Sequence, residues 1–492
     1  MSGVEDYYAL LGVPRNATQE QIRRAFREAA LRLHPDKNLR PGETELFLDA
    51  NRAYEVLNDP NRRAAYDREL LEAEAELRSS SVFTCAIQHS RKALLQLDEP
   101  QVHYLLLDVT PAPGFEVARP PINLCIVVDR STSMRGQRLD QVRSAAQAIL
   151  EGLQEGDTAS IVAFSDRAEV VVSPDQAKDR AVSRARLSLL QAGGGTVIGQ
   201  GLETGLAELH TSFSHDGVNH LLLLTDGRTY GDETACLNMA DLAIKDGITI
   251  SGVGIGADWN DRFLDDLTSR TGGAVAFLDT PKAVTALLQR TFEALSRVFA
   301  SRVQLEGAFA QEVDLRSAFR LLPDPTPMAD ALPITLGHLP RDGQIRLLLE
   351  LVVHPIGQIS ELVLANLTVC GDILGVGLER QKLPLEIRCP VSRHPDPEPP
   401  PQDIVTTLNL VALYRMQEKA RHEAELGQSS QAARRLENLA THLLASGERD
   451  LAKAALNEAQ RLVHTRHLST EGEKRLKYGT RALLLPSKSS AP

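Results

Sequence analysis

Ile122-Asn123-Leu124-Cys125-Ile126-Val127-Val128-Asp129-Arg130-Ser131-Thr132-Ser133 decides the fold of the middle of this chain. The run from Ile122 to Val128 is apolar without alternation, the pattern of a strand buried on both faces of a parallel sheet. It stops abruptly at Asp129 and three hydroxyl residues. Further strand-like runs at Thr158–Phe164, His220–Leu224 and Ile248–Ile255 alternate with helical segments such as Leu139–Leu153 and Thr234–Lys245. That alternation predicts an open, doubly wound α/β sheet, in which loops at the carboxyl ends of the strands converge on one crevice. Asp129, Ser131, Ser133, Thr196 and Asp226 all fall on such loops.

Three elements follow one another in order: Asp129-x-Ser131-x-Ser133, Thr196 after Gly193-Gly194-Gly195, and Thr225-Asp226-Gly227. Together they resemble the metal-ion-dependent adhesion site of the von Willebrand factor type A (VWA) family over about Pro120 to Ala300. The resemblance implies a Rossmann-like domain holding Mg²⁺ (or Mn²⁺) through Asp129, Ser131, Ser133, Thr196 and Asp226. Mg²⁺ takes octahedral oxygen ligands and gives up water reluctantly, so hydroxyls with few carboxylates keep the ion electrophilic. The partner implied is a protein offering an Asp or Glu carboxylate to the metal. No His or Glu lies inside the three segments, so they contain no general base for hydrolysis. The glycine run lacks the Gly-Lys-Ser/Thr ending of a phosphate loop, and no nucleotide is expected. Trp259, the only tryptophan, sits on another expected loop and reads as a packing residue or a recognition anchor.

Working outward, strand-like segments at Val82–Gln88 and Val102–Thr110 precede this domain. The chain from Arg302 to Cys389 reads as short strands with turns, including Ile345–Val353 and Leu362–Val369,. The economical arrangement is one β-sandwich built from both flanks, with the α/β domain inserted between them. The Pro-rich run His394 to Pro401 marks an extended linker. Helical periodicity then returns at Val405–Ala424, Ser430–Ser446 and Arg449–His464, which predicts a packed helical domain with a weak resemblance to tetratricopeptide-like pairs. Lys474, Arg475, Lys477 and Arg481 read as a solvated basic face or a contact for an acidic partner.

At the other end, Thr18-Gln19-Glu20-Gln21 has the form of a capping box, so a helix starts near Gln19. Ile22, Phe26, Ala29 and Leu33 make its apolar stripe, and Arg23, Arg24 and Arg27 its cationic face. Pro35 ends the helix and turns His34-Pro35-Asp36 into a loop. Leu46, Ala50, Ala53, Tyr54 and Leu57 mark a second helix, antiparallel to the first. Asp6 to Val13, His34 to Asn38, and Ala53 through Asp67 together resemble the J-domain family over about the first 70 residues. This implies binding and stimulation of a DnaK-class chaperone ATPase through Arg23, Arg27, His34, Pro35 and Asp36, with an acidic partner surface meeting the arginines. Glu28 departs from the usual basic residue on that face.

The chain has 492 residues, a formal net charge of −11 and 42% hydrophobic residues, which predicts roughly three soluble domains and opposes nucleic acid or an anionic membrane as partner,. The N-terminus lacks the pattern of a secretory signal, and a cytoplasmic protein is expected. The five scattered cysteines, Cys85, Cys125, Cys236, Cys370 and Cys389, form no Cys-x-x-Cys pair; free buried thiols and no zinc are expected,. The expected organisation is a J domain (1–70), a linker (71–81), a β segment (82–118), the VWA domain (120–300), the β-sandwich (302–391), a Pro-rich linker (392–402) and a helical domain (403–485). The function read from this is a non-enzymatic co-chaperone adaptor, alternatively a VWA-based assembly scaffold that uses the J domain only for docking.

Overall fold

A computed structural model describes residues 7–13, 15, 17–33, 43–68, 81–229, 231–394 and 398–485. His34, Pro35, Asp36 and the side chain of Glu28 lie outside the described residues. Helices α1 (Tyr7–Leu11), α2 (Gln19–Leu33), α3 (Glu43–Leu57) and α4 (60–68) form the N-terminal module. The capping box is made: the Thr18 N–H donates to Gln21 Oε1 at 2.7 Å and the Gln21 N–H to Thr18 Oγ1 at 3.3 Å,. Ile22 and Ala29 pack with Ala53, Leu57, Tyr8 and Tyr66, while Phe26 stacks on Tyr54 with ring centroids 4.1 Å apart. Gln19, opening α2, donates to the carbonyl of Asn58, just past the end of α3, at 2.8 Å, so the two helices run antiparallel. Arg63 on α4 locks the N-terminal turn by donating to Tyr8 Oη and to the carbonyls of Ala17 and Arg15 at 2.7–2.8 Å.

Strands β1 (Phe83–His89), β2 (Leu94–Leu95) and β3 (Gln101–Pro111) come next, and the chain then enters the central α/β domain. Its strands are β4 (Ile122–Asp129), β5 (Thr158–Phe164), β6 (Ala168–Val172), β7 (Val218–Thr225), β8 (Ile248–Ile255) and β9 (Val275–Leu278). They form one sheet in the order β6-β5-β4-β7-β8-β9, parallel except for β6. Every residue of β4 and β7 is buried, which is why β4 reads as a near-continuous apolar run; buried Asn123 donates to the Leu209 carbonyl at 2.8 Å,. Ile122, Leu124, Ile126 and Val128 face one layer, with α5 (Gln137–Glu151), α7 (Arg180–Leu189) and α11 (Val284–Ser296); α6 (Pro174–Ala177) lies beside α7. Cys125 and Val127 face the other layer, with α8 (Ile198–Thr211), α9 (Glu233–Ala243) and α10 (Asp261–Arg270).

The chain leaves through β10 (Val298–Phe309) into β11 (Val313–Leu322), β12 (Thr326–Met328), β13 (Ile334–Pro340), β14 (Ile345–Val353), β15 (Glu361–Ile373) and β16 (Leu378–Ser392). Two five-stranded sheets result, β1-β3-β14-β11-β12 and β13-β10-β15-β16-β2. β3 pairs antiparallel with β14 from Gln101↔Val353 to Val109↔Ile345, so the flanks before and after the α/β domain share one sandwich. Leu105, Leu107 and Leu349 point into its core, and Leu106 and Leu348 point the other way. That outer face is covered by Ile404, Val411 and Tyr414 of α12 (Gln402–Glu425), which explains a strand such as β14 with little polar alternation.

Helices α13 (Ser429–Ala445), α14 (Arg449–Thr465) and α15 (Thr470–Ala482) complete the helical domain around Leu436, Leu439, Ala455 and Leu476. The basic residues of α15 do not form a solvated face. Lys474, Lys477 and Arg481 are buried against the α/β domain: Lys477 pairs with Asp261 and Asp265 of α10, Arg481 with Asp265, and Lys474 donates to the carbonyls of Ala257 and Trp259 just before α10; Arg475 stays exposed. Helical periodicity reveals which residues share a face, but not that a neighbouring domain presents two carboxylates to that face.

Candidate functional site

The crevice lies where the chain leaves β4 for one side of the sheet and β7 for the other,. Asp129, the last residue of β4, is fully buried and accepts the Ser131 N–H on Oδ1 at 2.8 Å and the Thr225 hydroxyl on Oδ2 at 2.7 Å. Burial pushes its carboxyl up to about 6, against the lowering pull of those hydrogen bonds,. Ser131 precedes a short 3₁₀ turn, Thr132–Met134, which brings the Ser131 and Ser133 hydroxyls within 2.9 Å of each other. The Ser133 hydroxyl donates to Asp226 Oδ1 at 2.7 Å, and Asp226, directly after β7, is 1% exposed. Asp129, Ser131, Ser133 and Asp226 therefore form one connected cluster.

Thr196 joins it from the loop before α8. A Cβ on Gly227 would stand 2.9 Å from Thr196 Oγ1, so that hydroxyl lies directly over the Asp226-Gly227 turn, and only glycine leaves it room. The glycine loop is tied to the first motif by the Gly193 N–H donating to the Arg130 carbonyl at 2.7 Å and the Thr132 hydroxyl donating to the Gly194 carbonyl at 3.0 Å.

Several residues of the crevice were not singled out from sequence. The Arg138 guanidinium, on the first turn of α5, is ion-paired with Asp226 and donates to the Ser133 carbonyl at 3.3 Å. Asp166 accepts the Gly195 N–H at 3.0 Å, and Asp232 accepts the Gly199 N–H at 2.7 Å while pairing with the Thr229 hydroxyl. Thr225, quoted only as part of the Thr-Asp-Gly turn, orients Asp129. The common signal is a polar residue within a few positions of a strand end. Arg138 lacks even that.

Trp259 is 1% exposed, so it is not a recognition surface. Its Nε1–H donates to the Gly256 carbonyl at 2.8 Å, its ring centroid lies 5.7 Å from that of Tyr478, and Lys474 Nζ sits 4.2 Å from the ring centroid,. It anchors α15 to the α/β domain. On the N-terminal module, Arg23 and Arg27 are exposed one turn apart on α2; Arg23 Nε donates to Asn58 Oδ1 at 3.0 Å and Arg27 Nε to the Arg23 carbonyl at 3.3 Å. The remaining residues of that expected site, His34, Pro35 and Asp36, fall outside the described residues.

The four-helix module and the α/β domain with its crevice each match a known domain family. Residues 6–67 match the DnaJ domain and residues 123–290 the von Willebrand factor type A domain; residues 402–486 match the Sll0103-like, C-terminal alpha-helical domain. The chain thus carries a DnaJ domain and a VWA domain. It is 29% identical over 397 residues to the uncharacterized protein sll0103 of Synechocystis sp., covering 76% of this chain and 90% of that protein. The chaperone protein DnaJ 2 of Thermus thermophilus is 54% identical over 67 residues, 14% of this chain and 24% of that chaperone, so the likeness to it is confined to the J domain. Among solved structures, a von Willebrand factor type A protein from Catenulispora acidiphila superposes with a TM-score of 0.66 at 16% identity, covering 81% of this chain and 96% of that one. This similarity is one of fold. No helix among the described residues is long and apolar enough to cross a membrane.

Proposed function

We propose that this protein is a co-chaperone adaptor: the VWA domain captures a protein partner, and the J domain delivers a DnaK-class ATPase to it. The observation that carries the reading is the cluster of Asp129, Ser131, Ser133 and Asp226 with the Thr196 hydroxyl above it, on a chain that begins with a J domain. Three hydroxyls and two carboxylates are hard oxygen donors, the set that suits Mg²⁺ or Mn²⁺ and not a thiophilic metal. Bound there, the ion would supply an electrophilic position for an Asp or Glu side chain of the partner. Within the chain, Thr225 and the Ser131 N–H fix the Asp129 carboxylate, while Arg138 competes as an internal cation for Asp226. On the J domain, Arg23 and Arg27 present the cationic face, and His34, Pro35 and Asp36 provide the contact that triggers hydrolysis on the chaperone. No catalytic step takes place on this chain.

Two measurements test the capture end. Mn²⁺ binding followed by electron paramagnetic resonance is expected for wild type and lost in Asp129→Ala. Proteins held by the immobilised chain in Mg²⁺ and released by EDTA should be missing from the Asp129→Ala sample. EDTA-resistant capture that is equal for both proteins would refute metal-gated binding.

A further inference from the structure

A second cluster of metal-ligating side chains lies in the β-sandwich, outside the crevice. His89 ends β1, His103 lies on β3 and Cys389 on β16, and one ligating atom of each falls within 4.8 Å of the other two. His89 Nδ1 and His103 Nε2 face each other at 3.1 Å. Two imidazole nitrogens on one tetrahedral zinc would stand about 3.3 Å apart, and a zinc-bound nitrogen and sulfur about 3.6 Å. The imidazoles already have the required spacing, and the thiol needs to move by no more than about 1.2 Å to complete it,.

The surroundings are those of a built site. His103 is fully buried and Cys389 is 1% exposed, while His89 is half-buried at the rim. Ser90 Oγ stands 3.4 Å from His103 Nδ1 and is fixed by accepting the Tyr104 N–H at 3.0 Å. It can accept a hydrogen bond from a protonated Nδ1, which leaves the Nε2 lone pair facing His89, the outer-shell arrangement typical of metal-bound histidine,. The thiol of Cys389 lies 4.0 Å from the Lys92 carbonyl, a long contact for a hydrogen bond. Among the described residues, none of the other four cysteines belongs to such a group.

We infer that His89 Nδ1, His103 Nε2 and Cys389 Sγ form a zinc site that staples the two sheets of the sandwich together. β1 and β3 belong to one sheet and β16 to the other. The segment between β1 and β3 already crosses to β16, where Leu94 and Leu95 of β2 pair with Val391 and Ser392. Zinc fastens the flank that precedes the VWA domain to the last strand of the sandwich. Two imidazoles and a thiolate are N/S donors that select zinc over the Mg²⁺ favoured by the oxygen-lined crevice. The sequence expectation of no zinc rested on the lack of a Cys-x-x-Cys pair, and ligands spread over 300 residues of sequence leave no such trace.

The test uses the full chain, stripped with a chelator and titrated with Co²⁺. The expected result is a thiolate-to-cobalt charge-transfer band in the near ultraviolet with strong visible d–d absorption, saturating at one equivalent and displaced by Zn²⁺. The band should survive Asp129→Ala and Cys85→Ser and disappear in Cys389→Ser, whose unchanged far-ultraviolet circular dichroism shows that it folds. Zn²⁺ should raise the melting temperature of wild type and not of Cys389→Ser. Absence of the band in stripped wild type, or its persistence in Cys389→Ser, overturns the assignment.

Discussion

Asp261→Asn tests how the C-terminal helices are held to the VWA domain. Asp261 accepts Arg421 at 2.6 and 2.9 Å and also pairs with Lys477; Asp265, one turn on, takes Lys477 and Arg481, each at 2.7 Å. Two carboxylates thus hold three cations, with Glu425 and Glu473 a further 3.5 and 3.7 Å from Arg421, in an interface where the Arg421 and Lys477 side chains are 11% and 3% exposed. Removing one carboxylate leaves buried positive charge uncompensated, which costs about 3–5 kcal/mol. With an unfolding entropy of about 2.1 cal/mol/K per residue and a cooperative unit of about 400 residues, the melting temperature should fall by roughly 4–6 °C. Burial alone would raise the Asp261 carboxyl, but hydrogen bonds and charge from Arg421 and Lys477 outweigh it and hold it below the usual carboxylate range. A depressed carboxyl stabilises the fold above its unfolded value of about 3.9 and loses that contribution as pH falls through its folded value. Acidification below about pH 4 should therefore destabilise wild type more than the variant. Differential scanning calorimetry from pH 7 downward checks both effects. A shift below about 1 °C at pH 7 would show that the network contributes nothing net, as surface pairs often do.

Gly254→Ala should destabilise the same interface, because the new Cβ would stand 1.9 Å from the Trp259 ring; a loss of about 1–3 kcal/mol or more in urea unfolding is expected,. Arg138→Met removes the cation paired with Asp226 and should raise Mn²⁺ affinity by about tenfold, read by isothermal calorimetry,. Arg63→Ala deletes three hydrogen bonds from a charged donor and should cost the J domain about 3 kcal/mol, visible as early loss of amide protection in α1 and α4 under hydrogen exchange,.

The parts of the fold legible in sequence were those where neighbouring residues carry the information. The β4 run, buried on both faces, and the Thr18–Gln21 capping box both read directly into structure. Asp129, Ser131, Ser133, Thr196 and Asp226 were legible as a group because a doubly wound sheet gathers the loops after its strands. Arg138 was not, since a helix-borne arginine reads as solvated until the fold places Asp226 beside it. For the same reason α15 went unread: Lys474, Lys477 and Arg481 look like a polar face, and their partners, the Ala257 and Trp259 carbonyls and the carboxylates of Asp261 and Asp265, lie about 200 residues earlier. Residues that meet only through tertiary structure, the His89, His103 and Cys389 cluster among them, have no local pattern to betray them.

The central claim is that this chain brings a DnaK-class ATPase to a captured partner, and single-turnover ATP hydrolysis by a DnaK chaperone measures its effector end. Wild type should accelerate hydrolysis, Asp36→Asn should leave it at the basal rate, and Asp129→Ala should accelerate it as wild type does. An unchanged rate with wild type, or equal acceleration by Asp36→Asn, would contradict the account.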